Sequence, residues 1–287
     1  MKRGLFVGLV TLDLIYLAEA SPLANQKIVA KESAIAAGGP ATNAAVAFRA
    51  LRNSATILGG LGQHPMTQLI RADLEQCGVE MVDLDADRTE SPAVSSIVVT
   101  EATGDRSVVS MNAVKSQMNR DRIPDHILDR IDVVLIDGHQ MQVGAEIARA
   151  AKKKNIPVVI DGGSWKAGFE MVLPFVDYAI CSANFKPPTD RETFEFLASF
   201  GIPQIAVTHG NAAIAAWQTE PFQIEVPQVK VIDTLGAGDF FHGAFCHYVL
   251  QESYAIALSN AAKFAAQTCQ SFGTRSWLKK PGETIRV

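Results

Sequence analysis

The segment 231–239 joins two glycines to a carboxylate at the start of an expected helix. It reads Val-Ile-Asp-Thr-Leu-Gly-Ala-Gly-Asp. Gly236 and Gly238 let the backbone come close to a bound anion, and the amides of a helix start point toward such an anion. Asp239 lies in the first turn, where its carboxylate can take a proton from a hydroxyl beside the anion. This geometry is typical of phosphoryl transfer to an alcohol. The alternative is an ordinary glycine-rich turn with an acidic residue in the first helical turn.

Other nucleotide and hydrolase motifs do not fit the chain. The dinucleotide fingerprint needs a glycine where this sequence has Phe241, and the next glycine, Gly243, comes two positions too late. The sequence contains no P-loop, no Gly-x-Ser-x-Gly nucleophile elbow and no His-Glu-x-x-His zinc motif. A nucleotide-dependent oxidoreductase is therefore disfavoured.

The elements that must position segment 231–239 alternate between strands and helices. Short β-rich runs at 6–10, 55–61, 133–136, 158–160, 178–181 and 204–208 are separated by helical stretches, and two alanine-rich helices close the chain. This alternation predicts an α/β fold with a mostly parallel central sheet covered by helices on both faces. The sequence gives no sign of a second domain, so residues 1–287 are expected to form one domain.

Residues 12–36 and 92–112 do not follow this alternation. Both stretches are β-rich, and the turn at Gly104 joins two β-branched runs in the manner of a hairpin. We expect them to form a small sheet inserted in the main domain and acting as a lid. Its outer face is expected to be apolar, with Leu14, Ile28, Ile97 and Val99 as candidates. Because an uncovered apolar face is a liability, a homodimer with lid packed on lid is expected.

Composition and charge exclude several classes of protein. The 287 residues are 48% hydrophobic and 20% charged, with 26 Lys+Arg against 30 Asp+Glu and a net charge of −4. These values fit a globular protein with a large core and give no reason to expect a nucleic-acid partner.

The N-terminus imitates a signal peptide, but Asp13 interrupts its apolar run. No uninterrupted apolar run is long enough to suggest a membrane span. The four cysteines show no metal-binding or disulfide spacing, and we expect reduced thiols in the cytoplasm.

The motifs taken together resemble the PfkB/ribokinase family of sugar kinases. Asp-Thr-Leu-Gly-Ala-Gly-Asp at 233–239 is similar to its C-terminal signature, and Gly-Gly-Pro-Ala-Thr-Asn at 38–43 to its N-terminal one. Val-Thr-His-Gly at 207–210 resembles the end of its nucleotide-site strand. Segment 8–13 and the compact length look most like the ketohexokinase and sulfofructose kinase branches. The resemblance implies a ribokinase-like three-layer α/β/α sandwich with a small β-sheet lid.

The resemblance also implies a role for each matching residue. Asp239 would be the catalytic base, and the amides of Gly236, Ala237 and Gly238 would form the anion hole for the transferred phosphoryl group. The sugar side would hold Asp13, Gly38, Gly39 and Asn43. The ATP side would hold Asn184, Thr208, Gly210, Asn211 and Thr234, together with Gly236 and Gly238. Asp233 would help to bind a monovalent cation such as K⁺.

Several of these positions also allow a simpler interpretation. Asp13 ends an apolar strand, where a buried carboxylate without partners is costly, so sugar hydroxyls are suitable partners for it. The alternative is that Asp13 is a turn residue exposed to water. Asn43 could instead be a buried helix amide bonded to the backbone. Many family members carry Asn-x-x-Glu, with the Glu helping to order Mg²⁺, whereas Asn184 is followed by Phe-Lys-Pro. Asp161, at a strand end, could take over through water, or be a simple turn acid.

Four basic residues complete the candidates. Lys27, expected at the start of a lid strand, could grip an anionic group on the sugar or could simply be solvated. His139 follows a strand end and could line the sugar site. His209 and His242 have no carboxylate at a ligand spacing and are interpreted as structural.

The sequence as a whole predicts an ATP- and Mg²⁺-dependent kinase acting on a sugar hydroxyl. The substrate is expected to be a hexose, a ketose, a sugar acid or a sulfosugar. A nucleoside or vitamin kinase of the same superfold is an alternative. A non-catalytic sugar sensor is another, which the presence of Asp239 disfavours.

Overall fold

The computed structural model describes residues 1–111 and 117–278. Residue 112, the last of the expected lid segments, lies outside the described residues. In chain order, the strands are β1 (Arg3–Val7), β2 (Thr11–Ala18), β3 (Glu32–Gly38), β4 (Ser54–Gly59), β5 (Val79–Asp83), β6 (Ala93–Thr100), β7 (Arg106–Ser110), β8 (Val133–Ile136), β9 (Val158–Gly162), β10 (Tyr178–Ser182), β11 (Gln204–His209), β12 (Ala212–Trp217) and β13 (Pro221–Ile224). The α-helices are α1 (Pro40–Ala50), α2 (Thr67–Cys77), α3 (Met141–Lys153), α4 (Phe169–Val172), α5 (Thr193–Ala198), α6 (Ala237–Tyr248) and α7 (Tyr254–Thr268).

Nine strands form the large sheet in the order β13-β12-β11-β10-β9-β8-β1-β4-β5. The pairs from β11 to β5 are parallel, and only β12 and β13 run antiparallel at one edge. The parallel strands are buried and apolar, as in β8 with its four buried residues, which is what a sheet covered on both faces requires. The expected mostly parallel sheet is confirmed.

The two faces of this sheet carry separate layers of helices. On one face α1, α2, α6 and α7 pack around Phe48, Phe240 and Phe245. On the other face α3, α4 and α5 pack around Ile147, Phe169 and Leu197. The result is the expected three-layer arrangement, with α1 and α6 side by side in one layer. No helix in the described residues is long and apolar enough to cross a bilayer.

The small sheet has four strands in the order β3-β2-β6-β7. Strands β2 and β6 pair in parallel, and the other two pairs are antiparallel. The turn at Gly104, which has a φ of +71°, closes the β6–β7 hairpin as expected. The expected start of one lid strand was wrong: β3 begins at Glu32, so Lys27 and Ile28, which were expected in that strand, lie in the preceding loop.

The expected composition of the sheet's outer face was wrong in part. Ile97 and Val99 point inward, where they form a buried cluster with Ile15 and Leu17, and Leu235 and Phe272 pack against it. Side chains alternate along a strand, so the outer face consists of different residues. Its apolar members are Leu14, Tyr16, Ile35, Val98 and Val109, of which Ile35 is 56% and Val109 78% exposed.

Candidate active site

The carboxyl ends of the parallel strands meet at one edge of the large sheet. Gly8 follows β1, Asp137 follows β8, Asp161 lies in β9, and Asn184 and Gly210 follow β10 and β11. Ligands of open α/β sheets bind at this edge because loops and helix N-termini converge there. The helices α1 and α6 both begin near it.

Gly236, with a φ of +76°, caps α6 in the left-handed conformation that favours glycine. The amide of Ala237 already donates to the carbonyl of Thr234 at 3.2 Å. Within the described residues, the amides of Gly236, Gly238 and Asp239 have no such partner. A Cβ on Gly238 would meet nothing within 4 Å, so the space above this turn is open. The helix start therefore offers free N–H groups to an anion. The Ala237 amide, also expected there, would have to share its N–H with the Thr234 carbonyl.

Asp239 and Asn43 join the two helices at this point. The side-chain amide of Asn43 in α1 donates to Asp239 Oδ2 at 2.9 Å. Burial, reinforced by the negative charges of Asp161 and Asp13, raises the pKa of Asp239 to about 7, against the opposite effects of the Asn43 bond and of His242. A carboxyl with a pKa near neutrality is well matched to general-base work. The alternative in which Asn43 bonds only to backbone is wrong.

Asp13 faces the same space from the small sheet. Its side chain is 5% exposed and accepts a hydrogen bond from Thr11 Oγ1 at 2.8 Å. Burial raises the pKa of Asp13, while the bonds from Thr11 and Ser95 and the charge of Arg275 lower it. A Cβ on Gly38 would lie 2.0 Å from Asp13 Oδ2, so only glycine allows this approach. The exposed-turn interpretation of Asp13 is therefore wrong.

The structure places one further expected residue, Gly39, beside Gly38, and a carboxylate that was not expected near the same turn. Gly39 precedes Pro40 as the N-cap of α1. Asp137, at the end of β8, accepts hydrogen bonds from the backbone N–H groups of Leu9 at 2.9 Å and Ala41 at 3.2 Å. Burial opposes its ionisation, yet the adjacent His139 side chain and the backbone N–H groups of Leu9 and His139 hold the pKa of Asp137 below its ordinary value. This carboxylate fixes the glycine-containing turn that begins α1.

His242 has a carboxylate neighbour that its sequence position did not reveal. Its Nδ1 lies 3.4 Å from Asp161 Oδ2 and 2.7 Å from the carbonyl oxygen of Gly238. Its Nε2 lies 3.1 Å from the carbonyl oxygen of Ile180. Both ring nitrogens thus face oxygen atoms of the protein. The spacing of four between Gly238 and His242 places both on one helix face, which signals the contact with the Gly238 carbonyl but not the approach to Asp161.

The expected nucleotide-side residues lie together on neighbouring strand ends. Ser182 of β10 pairs with Thr208 of β11, and the Thr208 hydroxyl donates to the carbonyl of Cys181 at 3.4 Å. Asn184, Gly210 and Asn211 are exposed beyond these strands. The structure therefore brings these four residues to one accessible edge, next to Asp161.

Thr234 and Asp233 have structural partners in addition to their expected roles. The Thr234 hydroxyl accepts from Arg106 Nη1 at 3.0 Å and donates to the Gly104 carbonyl at 3.3 Å, so it contacts the β6–β7 hairpin. The buried Asp233 carboxylate accepts the N–H of Leu235 at 2.8 Å and that of Gly273 at 2.9 Å. Both residues thus hold the turn before α6 in place.

Lys27 does not lie where the sequence placed it. It is exposed in the loop between β2 and β3 rather than at a strand start. Among the described residues it has no hydrogen-bond or ion-pair partner. The structure does not bring it to Asp13, Asn43 or Asp239.

Arg275 is a site residue that the sequence did not reveal. Its Nη1 donates to Asn43 Oδ1 at 3.2 Å, and its Nη2 and Nε contact Asp73 Oδ2 at 3.0 and 3.1 Å. No motif or spacing marks this arginine, because Asn43 and Arg275 are 232 positions apart in the chain. Only the fold reveals the contact.

Comparison with known proteins agrees with this geometry. The family model described as "pfkB family carbohydrate kinase" matches residues 1–281. An ATP-dependent ribose-1-phosphate kinase of Halopiger xanaduensis is 26% identical, over 96% of this chain and 95% of that protein. A ribokinase of Arabidopsis thaliana is 26% identical over 93% of this chain and 76% of its own length.

Solved structures show the same fold. A ribokinase from Giardia lamblia superposes with a TM-score of 0.82 at 20% identity, covering 98% of this chain and 97% of that one. The Arabidopsis thaliana ribokinase complexed with ribose and ATP gives a TM-score of 0.75 at 23% identity, over 95% and 93% of the two chains. The fold is thus ribokinase-like, while the resemblance to the ketohexokinase and sulfofructose kinase branches stays a prediction. With the family model matching nearly the whole chain, this protein belongs to the pfkB family of carbohydrate kinases.

Proposed function

We propose that this kinase transfers a phosphoryl group from ATP to a hydroxyl of a sugar. The observation that carries the proposal is the position of Asp239: it follows the free amides of the α6 start, is held by Asn43, and has a pKa of about 7. A base in this place takes the proton of the sugar hydroxyl while the amides stabilise the transferred group.

Asp13 and Asn43 approach the same space from the small sheet and from α1. Asp13 accepts hydrogen bonds from Thr11 and Ser95, and a carboxylate has about four lone-pair sites. Its remaining acceptor sites suit sugar hydroxyls. We propose that Gly38 and Gly39 complete this side, with the small sheet acting as a lid that excludes water from the phosphoryl group. Residues 1–287 then work as one domain with an inserted lid.

ATP would lie over the ends of β10 and β11. Asn184, Thr208, Gly210 and Asn211 are accessible there, and Gly236 and Gly238 lie between them and the sugar side. We propose that Thr234 acts from the turn before α6, where its hydroxyl links the β6–β7 hairpin to the anion site. Phosphates placed at the α6 N-terminus gain from the helix dipole.

Asp161 is the residue that fits Mg²⁺ best in place of the missing Glu. It is 6% exposed, lies at the end of β9 next to the anion site, and offers the oxygen ligands that Mg²⁺ prefers. Within the described residues no three His, Cys, Asp or Glu side chains cluster as a metal site, which fits an ion held mainly by phosphates and water. Bound Mg²⁺ would neutralise phosphate charge.

We propose that Asp233 contributes to a monovalent-cation site, because its two backbone bonds leave lone pairs unused.

We also propose a homodimer that buries the outer face of the small sheet. The outer face carries an apolar surface of the kind that marks an interface, formed by Leu14, Tyr16, Ile35, Val98 and Val109.

The four cysteines are free thiols, three of them buried, which suits the cytoplasmic location we propose.

The test of this function is an ADP-release screen with the full-length protein. Ribose, deoxyribose, ribose 1-phosphate, fructosamines, ketohexoses, sulfosugars and nucleosides are compared at equal concentration, with Asp239→Asn as the blank. One sugar is expected to release ADP well above the blank. A nucleoside that exceeds every sugar, or release equal to the blank for all acceptors, would overturn the proposal.

A further inference from the structure

Arg275 lies behind Asn43, on the side away from Asp239. Its side chain is only 17% exposed, and that of its ion-pair partner Asp73 is 14% exposed. Asp73 comes from α2 and Arg275 from the segment after α7, so the pair joins distant parts of the chain. Burying a guanidinium removes it from water, and this destabilises the fold unless an opposite charge and hydrogen-bond acceptors compensate.

All five N–H groups of the guanidinium are engaged. Nε and Nη2 donate to Asp73 Oδ2 at 3.1 and 3.0 Å, and Nη2 donates also to the Ala37 carbonyl at 2.6 Å. Nη1 donates to the Thr274 carbonyl at 2.9 Å and to Asn43 Oδ1 at 3.2 Å. An arginine has five such donors, so none remains for a substrate anion. Arg275 therefore acts on the protein itself.

The guanidinium fixes which way the Asn43 amide points. With Oδ1 on the arginine, Nδ2 must face Asp239, where it donates at 2.9 Å. If the amide were flipped, Nδ2 would face the N–H groups of Arg275, and Oδ1 would face the carboxylate of Asp239. Both contacts would then be repulsive. Both neighbours thus select the same orientation.

The pair also holds the backbone that leads into the sugar side. Asp73 Oδ2 accepts the N–H of Ala37 at 3.0 Å, while Arg275 binds the carbonyl of the same residue. Ala37 directly precedes Gly38 and Gly39. The ion pair therefore fixes both the Asn43 amide and the turn beside Asp13.

We propose that Arg275 is a positioning residue of the active site, which orients Asn43 so that its amide nitrogen donates to the base. This proposal rests on the proposed function, since it assumes that Asp239 is the base. A shift of the Asn43 amide by about 1 Å can cost about a hundredfold in rate. The part of the effect that acts on the base must pass through Asn43 and vanish when Asn43 is absent.

The first test needs no substrate. The ¹H–¹⁵N resonances of the Asn43 side-chain amide are assigned by comparison with Asn43→Ala and then recorded in Arg275→Gln, Arg275→Lys and Arg71→Gln. Arg71 is the matched control, because it binds Asp83 and the Gly62 carbonyl from α2 but contacts neither Asn43 nor Asp239. Both Arg275 variants are expected to shift these resonances and speed the exchange of their protons, since a lysine cannot reproduce the fork. Unchanged resonances in a folded Arg275 variant would overturn the proposal.

The second test is a double-mutant cycle on kcat with the best acceptor of the ADP-release screen. Arg275→Gln is expected to lower kcat about ten- to a hundredfold with the KM for ATP unchanged, and to add less than about threefold in the Asn43→Ala background. Equal losses in both backgrounds would overturn the role through Asn43. If Arg275→Gln does not fold, Arg275→Lys takes its place in the cycle. A wild-type protein inactive on every acceptor would refute the proposed function, while the amide resonances would still decide the role of Arg275.

Discussion

Gly243 sets the distance between the two helices that carry Asn43 and Asp239. A Cβ at this position would lie 2.1 Å from the carbonyl oxygen of Ala44 in α1 and 2.8 Å from Ala47 Cβ. The first neighbour is backbone, which cannot turn aside as a side chain can. Gly243→Ala must therefore push α1 and α6 apart.

The size of this movement follows from the contact distances. Ordinary contact begins at 3.4 Å, so the helices must separate by about 1 Å or more near Gly243. The Asn43–Asp239 bond of 2.9 Å would lengthen to about 4 Å, which is no longer a hydrogen bond. Overpacking of this kind costs about 1–3 kcal/mol of stability, or about 2–10 °C in Tm for a domain of this size. The misplaced pair is expected to lower kcat about a hundredfold.

The assay combines thermal unfolding with steady-state kinetics on the sugar identified by ADP release. The matched control is Gly144→Ala in α3, on the other face of the sheet, whose Cβ would meet the Ile136 side chain at 2.8 Å. This variant is expected to lose stability but to keep kcat within about twofold, because distant sites act independently. A Gly243→Ala protein with wild-type kcat would refute the idea that the α1–α6 contact positions the pair.

Four further predictions follow from the site and the small sheet. Because Asp239 must be ionised to act as a base, kcat/KM is expected to fall about tenfold per pH unit below a pH of about 7, and a flat profile between pH 5 and 8 would count against this base. The folded pKa of Asp239 lies above the unfolded value of 3.8, so its ionisation destabilises the fold as pH rises from about 4 to 7. Asp239→Asn should therefore raise Tm more at pH 8 than at pH 5, and an equal gain at both pH values would contradict this. Ile35→Asp on the outer face of the small sheet should convert the proposed dimer to a monomer in light scattering, whereas a monomeric wild type at micromolar concentration would refute the dimer. Because Lys27 is exposed in the loop between β2 and β3 and is not brought to Asp13, Lys27→Ala is expected to leave the KM for a phosphorylated or sulfonated sugar within about twofold, and a rise of roughly ten- to 150-fold would return Lys27 to the sugar site.

Local patterns predicted much of the framework. The strand–helix alternation, the hairpin at Gly104 and the glycine start of α6 are properties of short segments, and the structure confirms them. The placement of Asp239 in the first turn of α6 was likewise readable from Gly236 and Gly238.

The remaining features depend on contacts between distant segments. Ile97 and Val99 are separated by another apolar residue, Val98, so their sequence does not show which of them face inward. That depends on Leu235 and Phe272 of another segment, which pack against Ile97 and Val99. The same holds for His242 beside Asp161, and for Arg275 behind Asn43. Lys27 was misplaced because the β-branched residues Ile28 and Val29 that follow it favour a strand, whereas the structure has them in the loop before β3.

The central claim is that Asp239 takes the proton from the sugar hydroxyl. Its most direct test is the kcat of Asp239→Asn on the sugar identified by ADP release, measured together with the affinity of the variant for ATP. The account predicts a loss of at least about a hundredfold in kcat, with ATP affinity retained because the α6 amides and the ends of β10 and β11 are unchanged. A variant with near-normal kcat would contradict it.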